Sequence, residues 1–167
     1  MDYELNGLPL HILLVHAVAV FIPLTALCIL LHMFWPAARR RLGIVTPGLG
    51  LVTLVFVFLA QQAGEWLLLR VGTTPAITTH AVLGRGLLPW AWALFGASVA
   101  VWLWHRVGAG ARLRRGAGAV AARVVGVVVV LGMAAICALA VVQVFNIGES
   151  GSRAVWGGSF SNTPVQR

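Results

Sequence analysis

Lysine is absent from this sequence, and only four of its 167 residues are acidic: Asp2, Glu4, Glu65 and Glu149. Charged residues make up 10% of the chain, against roughly one quarter in soluble globular domains. With 60% of residues hydrophobic and a mean hydropathy of +0.94, a water-soluble fold is excluded and an integral membrane protein is expected. Cysteine is nearly missing too. Cys28 and Cys137 lie in separate apolar runs at different expected depths, which argues against a disulfide and leaves them as small buried hydrophobes. There is no H-E-x-x-H, no C-x-x-C, no methionine cluster, no glycine-rich phosphate loop and no Ser-His-Asp set, so hydrolase and nucleotide chemistry have no support.

What is present is arginine, long apolar runs and histidine. The formal charge of +8 comes from 12 arginines. In a soluble protein that balance would suggest nucleic acid. Here the arginines cluster between apolar runs, so they are read as membrane topology, with no nucleic-acid partner expected. The leading residues 1–7 are acidic and the apolar run behind them exceeds that of a signal peptide, so the first helix is expected to stay in the mature chain.

Spans are expected near 8–34, 46–69, 78–105 and 119–145, each long enough to cross about 30 Å of hydrocarbon. They form one transmembrane domain, an all-α four-helix bundle, with a short tail at 146–167. Arg39-Arg40-Arg41 and the Arg106–Arg115 stretch place the first and third loops in the cytoplasm, hence both termini outside. Gly118, Ala122 and Gly126 form a small-xxx-small packing face on the fourth span. No internal repeat is legible. The tail holds Trp156, expected to pack back at the outer interface near the histidines.

The chain is organised around residues 8–23, where His11 and His16 lie inside a membrane helix. An ionisable side chain at such depth is costly and marks a functional site by default. Five residues apart, the two are separated by about 140° of rotation, so one is expected to face the bundle and the other its flank. Gln61, Gln62 and Glu65 fall in the last turns of the second span, and His80 opens the third. All belong to the outer side.

Helices 1 and 3 run parallel in this reading, so a histidine from each can flank haem b. His16 and His80 are the expected ligands, with His11 in competition, and Gln61, Gln62, Glu65 and Arg85 lie around them. Two imidazoles leave no coordination position open, which favours electron transfer over oxygen binding. Plainer roles exist for each residue: an interfacial His11, a His16 bonded to Gln61 or Glu65, a capping His80, and a Glu65 paired with Arg70 or Arg85. His32 and His105 form a second possible pair at the cytoplasmic ends, from which a two-haem arrangement can be drawn. A metal ion held by His16 and His80 is the further alternative.

The segments Leu8-Pro-Leu-His11 through Val15-His16, Ala63-Gly-Glu65-Trp66-Leu67, His80-Ala-Val-Leu-Gly84 and Gly148-Glu-Ser-Gly-Ser-Arg-Ala-Val-Trp-Gly-Gly158 together resemble the DUF2231 family of four-helix bacterial membrane proteins, in that family's order and over nearly the whole chain. The resemblance implies the fold, a bacterial cell-membrane location, and functional positions at His16, Glu65, His80 and His11. It departs from the pattern at Ala17-Val18, where Phe-Pro is usual, and at Arg85, where an acidic residue is typical. The function expected is a haem-b protein for electron transfer on the extracytoplasmic side, accessory to a respiratory complex. Alternatives are a cofactor-free packing subunit, alone or as a homo-oligomer in the bilayer, and metal or small-solute transport.

Overall fold

The computed structural model describes residues 3–159. Beyond a two-stranded hairpin at its start, everything regular in it is helix: β1 (Glu4–Leu5), β2 (Leu8–Pro9), α1 (Leu10–Phe34), α2 (Pro36–Leu42), α3 (Val45–Leu68), α4 (Pro75–Arg85), α5 (Leu87–Arg106) and α6 (Ala109–Trp156). Asn6 and Gly7 turn the hairpin at φ values of 51° and 78°, the left-handed pair that a two-residue hairpin loop requires. Four stretches are long and apolar enough to cross a membrane: α1, α3, α4 with α5, and α6.

Local chemistry explains where these helices start and stop. Pro36 opens α2 in the first-turn position where its missing N–H costs nothing. Arg39 then folds back to cap α1, its Nε donating to the His32 carbonyl at 2.9 Å and its Nη2 to that of Met33 at 2.8 Å. Thr74 caps α4 by accepting from the Ile77 amide at 3.2 Å, with Pro75 in the first turn.

The third crossing is not one helix. It breaks at Gly86, where Pro89 cannot donate to the carbonyl of Arg85. Gln143 of α6 reaches across and donates its Nε2 to the Leu83 carbonyl at 3.1 Å. The fourth crossing kinks at Gly118, whose φ of 88° and ψ of 169° interrupt the helix. Beyond the kink it runs on through the stretch expected as a tail, as far as Trp156. Residues 160–167 of that expected tail lie outside the described residues.

The four crossings pack as two antiparallel pairs, α1 with α3 and α4/α5 with α6. Between the pairs, α1 lies against α6 and α3 against α5, while α1 also touches α5 through the middle. Exchanging the pairs leaves this pattern unchanged, which is the signature of an approximate two-fold axis along the bundle. Buried details obey it. Thr25 stands seven residues before His32 and Ser98 seven before His105; Gly50 stands fourteen before Gly64 and Cys137 fourteen before Gly151. Across the axis Gly50 receives Ser98, and Cys137 donates to the carbonyl of Ala26, the neighbour of Thr25, at 3.8 Å.

The core between the pairs is mostly aliphatic, with Ile22, Ile29, Leu94 and Val101 fully enclosed. Its polar members are satisfied internally: Thr25 and Thr53 share a 2.6 Å hydroxyl bond, and Thr53 donates to the Leu49 carbonyl at 2.8 Å.

Candidate functional site

Polar side chains gather at both ends of the bundle, and the end at which α1 begins carries the more complete arrangement. There His11, in the first turn of α1, donates from Nδ1 to the carbonyl of Ala60 on α3 at 2.9 Å. His80, in the first half of α4, donates from Nδ1 to the carbonyl of Ile147 on α6 at 3.2 Å. Ser150 assists, lying 3.1 Å from that Nδ1 and donating its own hydroxyl to Ile147 at 2.8 Å.

Each imidazole is also seated against a glycine one turn beyond the carbonyl it uses. A Cβ on Gly64 would lie 2.9, 3.0 and 3.7 Å from Cε1, Nδ1 and Nε2 of His11, and one on Gly151 would lie 2.9, 3.2 and 3.7 Å from the same atoms of His80. The two-fold relation thus extends to side-chain detail. The rings meet edge to face, with centroids 6.2 Å apart and planes at 76°. Because each Nδ1 carries the proton it donates, each Nε2 keeps a lone pair. Metal-binding histidines are oriented by the same kind of backbone bond.

Around this pair, Glu65 and Arg85 form a two-pronged ion pair at 2.6 and 2.8 Å that ties the end of α3 to the end of α4. Glu65 therefore serves Arg85 and not a histidine. Arg70 lies 3.8 Å above the Trp66 ring and donates to the Trp66 carbonyl at 2.9 Å. The indole Nε1 of Trp66 is buried and finds no acceptor among the described residues. Gln61 is half-buried and Gln62 exposed, both on the turn that offers Ala60 to His11.

His16 does not join this group. It is exposed on the flank of α1, where its Nδ1 donates to the carbonyl of Ile12 at 2.6 Å. The expected ligand pair of His16 and His80 is thereby corrected: the helix-1 histidine that meets His80 is His11. The reason is rotational. α3 packs on the α1 face that carries Leu14, Val18 and Ile22, and His11 shares that face while His16 is turned from it. His16 and His80, also expected as metal ligands, are likewise not brought together, and no group of three or more His, Cys, Asp or Glu that could hold a metal ion occurs among the described residues.

At the opposite end, His32 and His105 form a second pair, with centroids 5.6 Å apart and planes at 28°. His32 is 2% exposed, and its Nδ1 lies 3.2 Å from the Thr46 hydroxyl. A groove of about 880 Å³ runs between α1 and α6, floored by Ala19, Pro23, Val141 and Val144 and rimmed by Glu149, Arg153 and Trp156. Trp156 belongs to α6 and borders this groove without covering the histidines.

Gly64, Ser150 and Gly151, with the carbonyls of Ala60 and Ile147, are the site members that residue type did not single out. Their only trace in the sequence is the placing of small residues beside Glu65 and Glu149. Comparison with known families, with characterised proteins and with solved structures gave no match.

Proposed function

We propose that the chain is a multi-pass membrane protein that binds haem b between His11 and His80 and serves electron transfer at the extracytoplasmic face. The observation that carries this reading is the pair of imidazoles 6.2 Å apart, each with Nδ1 held by a backbone carbonyl of a different helix. If haem is bound there, His11 and His80 would hold its iron, one ring from α1 and one from α4.

Donor number favours haem over a bare ion. Two neutral imidazoles are two ligands short of a closed tetrahedral site. They suffice for an iron whose ring already supplies the equatorial nitrogens, and a site closed on both faces moves electrons without binding oxygen. The residues of this chain supply orientation: Ala60 and Ile147 fix the tautomer, and Gly64 and Gly151 fix the depth at which each ring sits. Arg70 and the Trp66 N–H provide a cation and a donor near that end for the carboxylates that haem carries, Arg85 being already paired with Glu65.

The orientation in the membrane rests on arginine. Arg39–Arg41 in α2 and Arg106–Arg115 at the junction of α5 and α6 lie at the His32 end, which makes that end cytoplasmic and puts the His11–His80 end and both termini outside. A bacterial cell membrane and a respiratory complex as partner complete the proposal.

The test is the visible spectrum of protein purified in detergent from haem-replete cells. His11→Ala and His80→Ala should each abolish the low-spin absorption of the outer site, and His16→Ala should leave it in place. Wild-type protein without a Soret band would end the reading and favour a cofactor-free packing subunit, in which the glycine seats serve helix contact alone.

A further inference from the structure

We infer that the groove between α1 and α6 binds a membrane quinol, with a ring hydroxyl donating to Nε2 of His16 and the apolar chain lying along the floor. At about 880 Å³ the groove falls within the range of roughly 300–1,000 Å³ of small-molecule sites. Its floor, with Ala19, Pro23 and Val141, is apolar, and Ser152, Arg153 and Trp156 stand at its outer mouth. From Val141 to Trp156 it follows α6 for fifteen residues, about 22 Å at 1.5 Å per residue. It thus runs from the helix end deep into the apolar stretch.

The approximate two-fold axis explains why an opening exists here. Glu65 follows Gly64 as Ser152 follows Gly151, and Arg85 stands five residues after His80 as His16 does after His11. The axis therefore carries the Glu65–Arg85 ion pair, which latches α3 to α4 at 2.6 and 2.8 Å, onto Ser152 and His16. Those two side chains are shorter, and His16 turns its Nδ1 back to the Ile12 carbonyl at 2.6 Å. One side of the bundle is latched, and its counterpart is left open.

Polar chemistry beside the opening selects the occupant. α1 and α6 are antiparallel and meet where Cys137 donates to the Ala26 carbonyl. Ten residues from that contact along each helix, His16 comes level with Ile147, next to Gly148 of the groove wall. It shares the α1 face of Ala19 and Pro23, three and seven residues further on. There it is exposed, and with Nδ1 donating to Ile12 its Nε2 keeps a lone pair. Inside a bilayer such a nitrogen needs a donor from something other than water.

A quinol hydroxyl is that donor, and the oxidised carbonyl is not. At the mouth Arg153 and Glu149 cancel each other's charge at 2.7 Å, so nothing there selects a charged phosphate, and a phospholipid headgroup stays at the surface, outward of His16. Among uncharged heads on apolar chains, the choice of a quinol rests on the haem reading. His11 lies five residues outward of His16, about 7.5 Å of rise, which sets the ring beside the proposed electron carrier.

The experiment titrates the full-length chain in phosphatidylcholine nanodiscs, under argon, with decylubiquinol or decylubiquinone, and counts bound molecules against empty nanodiscs. The expected result is saturation near one quinol per chain, with the quinol favoured over the quinone by about tenfold, the order of one hydrogen bond. His16→Ala should erase that preference and His16→Gln, which keeps an acceptor, should restore part of it. Ala19→Phe fills the floor from an exposed position and should abolish saturation of both forms with the melting temperature unchanged.

Equal binding of the two forms in wild type and His16→Ala would overturn the inference, as would uptake that never saturates. Phospholipid that co-purifies with wild type, resists displacement by quinol and is lost in Ala19→Phe would overturn it in favour of a lipid occupant. Saturable quinol binding to protein without a Soret band would keep the site and end the haem reading. A Soret band in protein that does not saturate with quinol would do the opposite.

Discussion

An alanine at position 64 would bring its methyl carbon to 2.9 Å from Cε1 of His11, and one at position 151 would do the same to His80. Neither ring can retreat without lengthening the bond from its Nδ1 to Ala60 or Ile147. Gly64→Ala and Gly151→Ala should therefore each cost about 1–3 kcal/mol as overpacking of a filled site, read as a lower melting temperature in detergent. On the proposed assignment both should also shift the haem absorption, whereas Gly132→Ala, in open space, should do neither. The histidines were legible as a site because an ionisable group inside an apolar run stands out. Which of His11 and His16 faces inward was not, since the five-residue spacing divides them between faces without saying which face α3 will cover. The glycine seats were hidden for a related reason. A glycine in an apolar helix looks the same whether it admits a neighbouring helix or an imidazole.

At the scale of elements, run length located all four long apolar stretches, and it missed what happens inside two of them. Hydropathy counts apolar residues and is blind to whether their backbone is continuous. The break at Gly86 consequently read as unbroken helix, although Pro89 was there to be weighed. Its stability depends on a residue from another crossing: Gln143 satisfies the Leu83 carbonyl beside the break. Gln143→Leu should remove one of two donors to that carbonyl, which keeps the Gly86 amide at 3.1 Å, and cost about 0.5–1.5 kcal/mol, measured by thermal unfolding, while Gln62→Leu on an exposed position should cost far less. The end of α6 shows the opposite error. Residues 146–156 hold glycines and serines that disfavour helix in isolation, so they read as a tail. In the fold they continue α6 because the helix is held by tertiary contact there, with Ser150 and Gly151 under His80 and Arg153 bonded to Glu149 one turn away at 2.7 Å. Propensity yields where packing decides.

For the molecule as a whole, the even number of crossings and the arginines of the two loops make a direct prediction. A reporter that works only outside the cytoplasm should be active when fused after Arg167 and silent when placed within 108–112, and the reverse result would invert the proposed orientation. The approximate two-fold relation was not legible in the sequence because corresponding residues stand at no constant spacing and only some share a residue type. His11 corresponds to His80 and Gly64 to Gly151, yet Thr25 corresponds to Ser98 and Gly50 to Cys137, exchanges that hide a repeat from any reading by identity. The connection between the halves, residues 70–74, is exposed throughout, and each half is already a closed antiparallel pair with its own histidine seated on its own glycine. What joins them is the surface across the axis, with little asked of the segment 70–74 that links them. Such a chain reads as two genes' worth of protein in one frame. Severed in that connection, its halves should still associate through the contacts of α1 with α6 and α3 with α5, and neither half alone holds more than one side of the site.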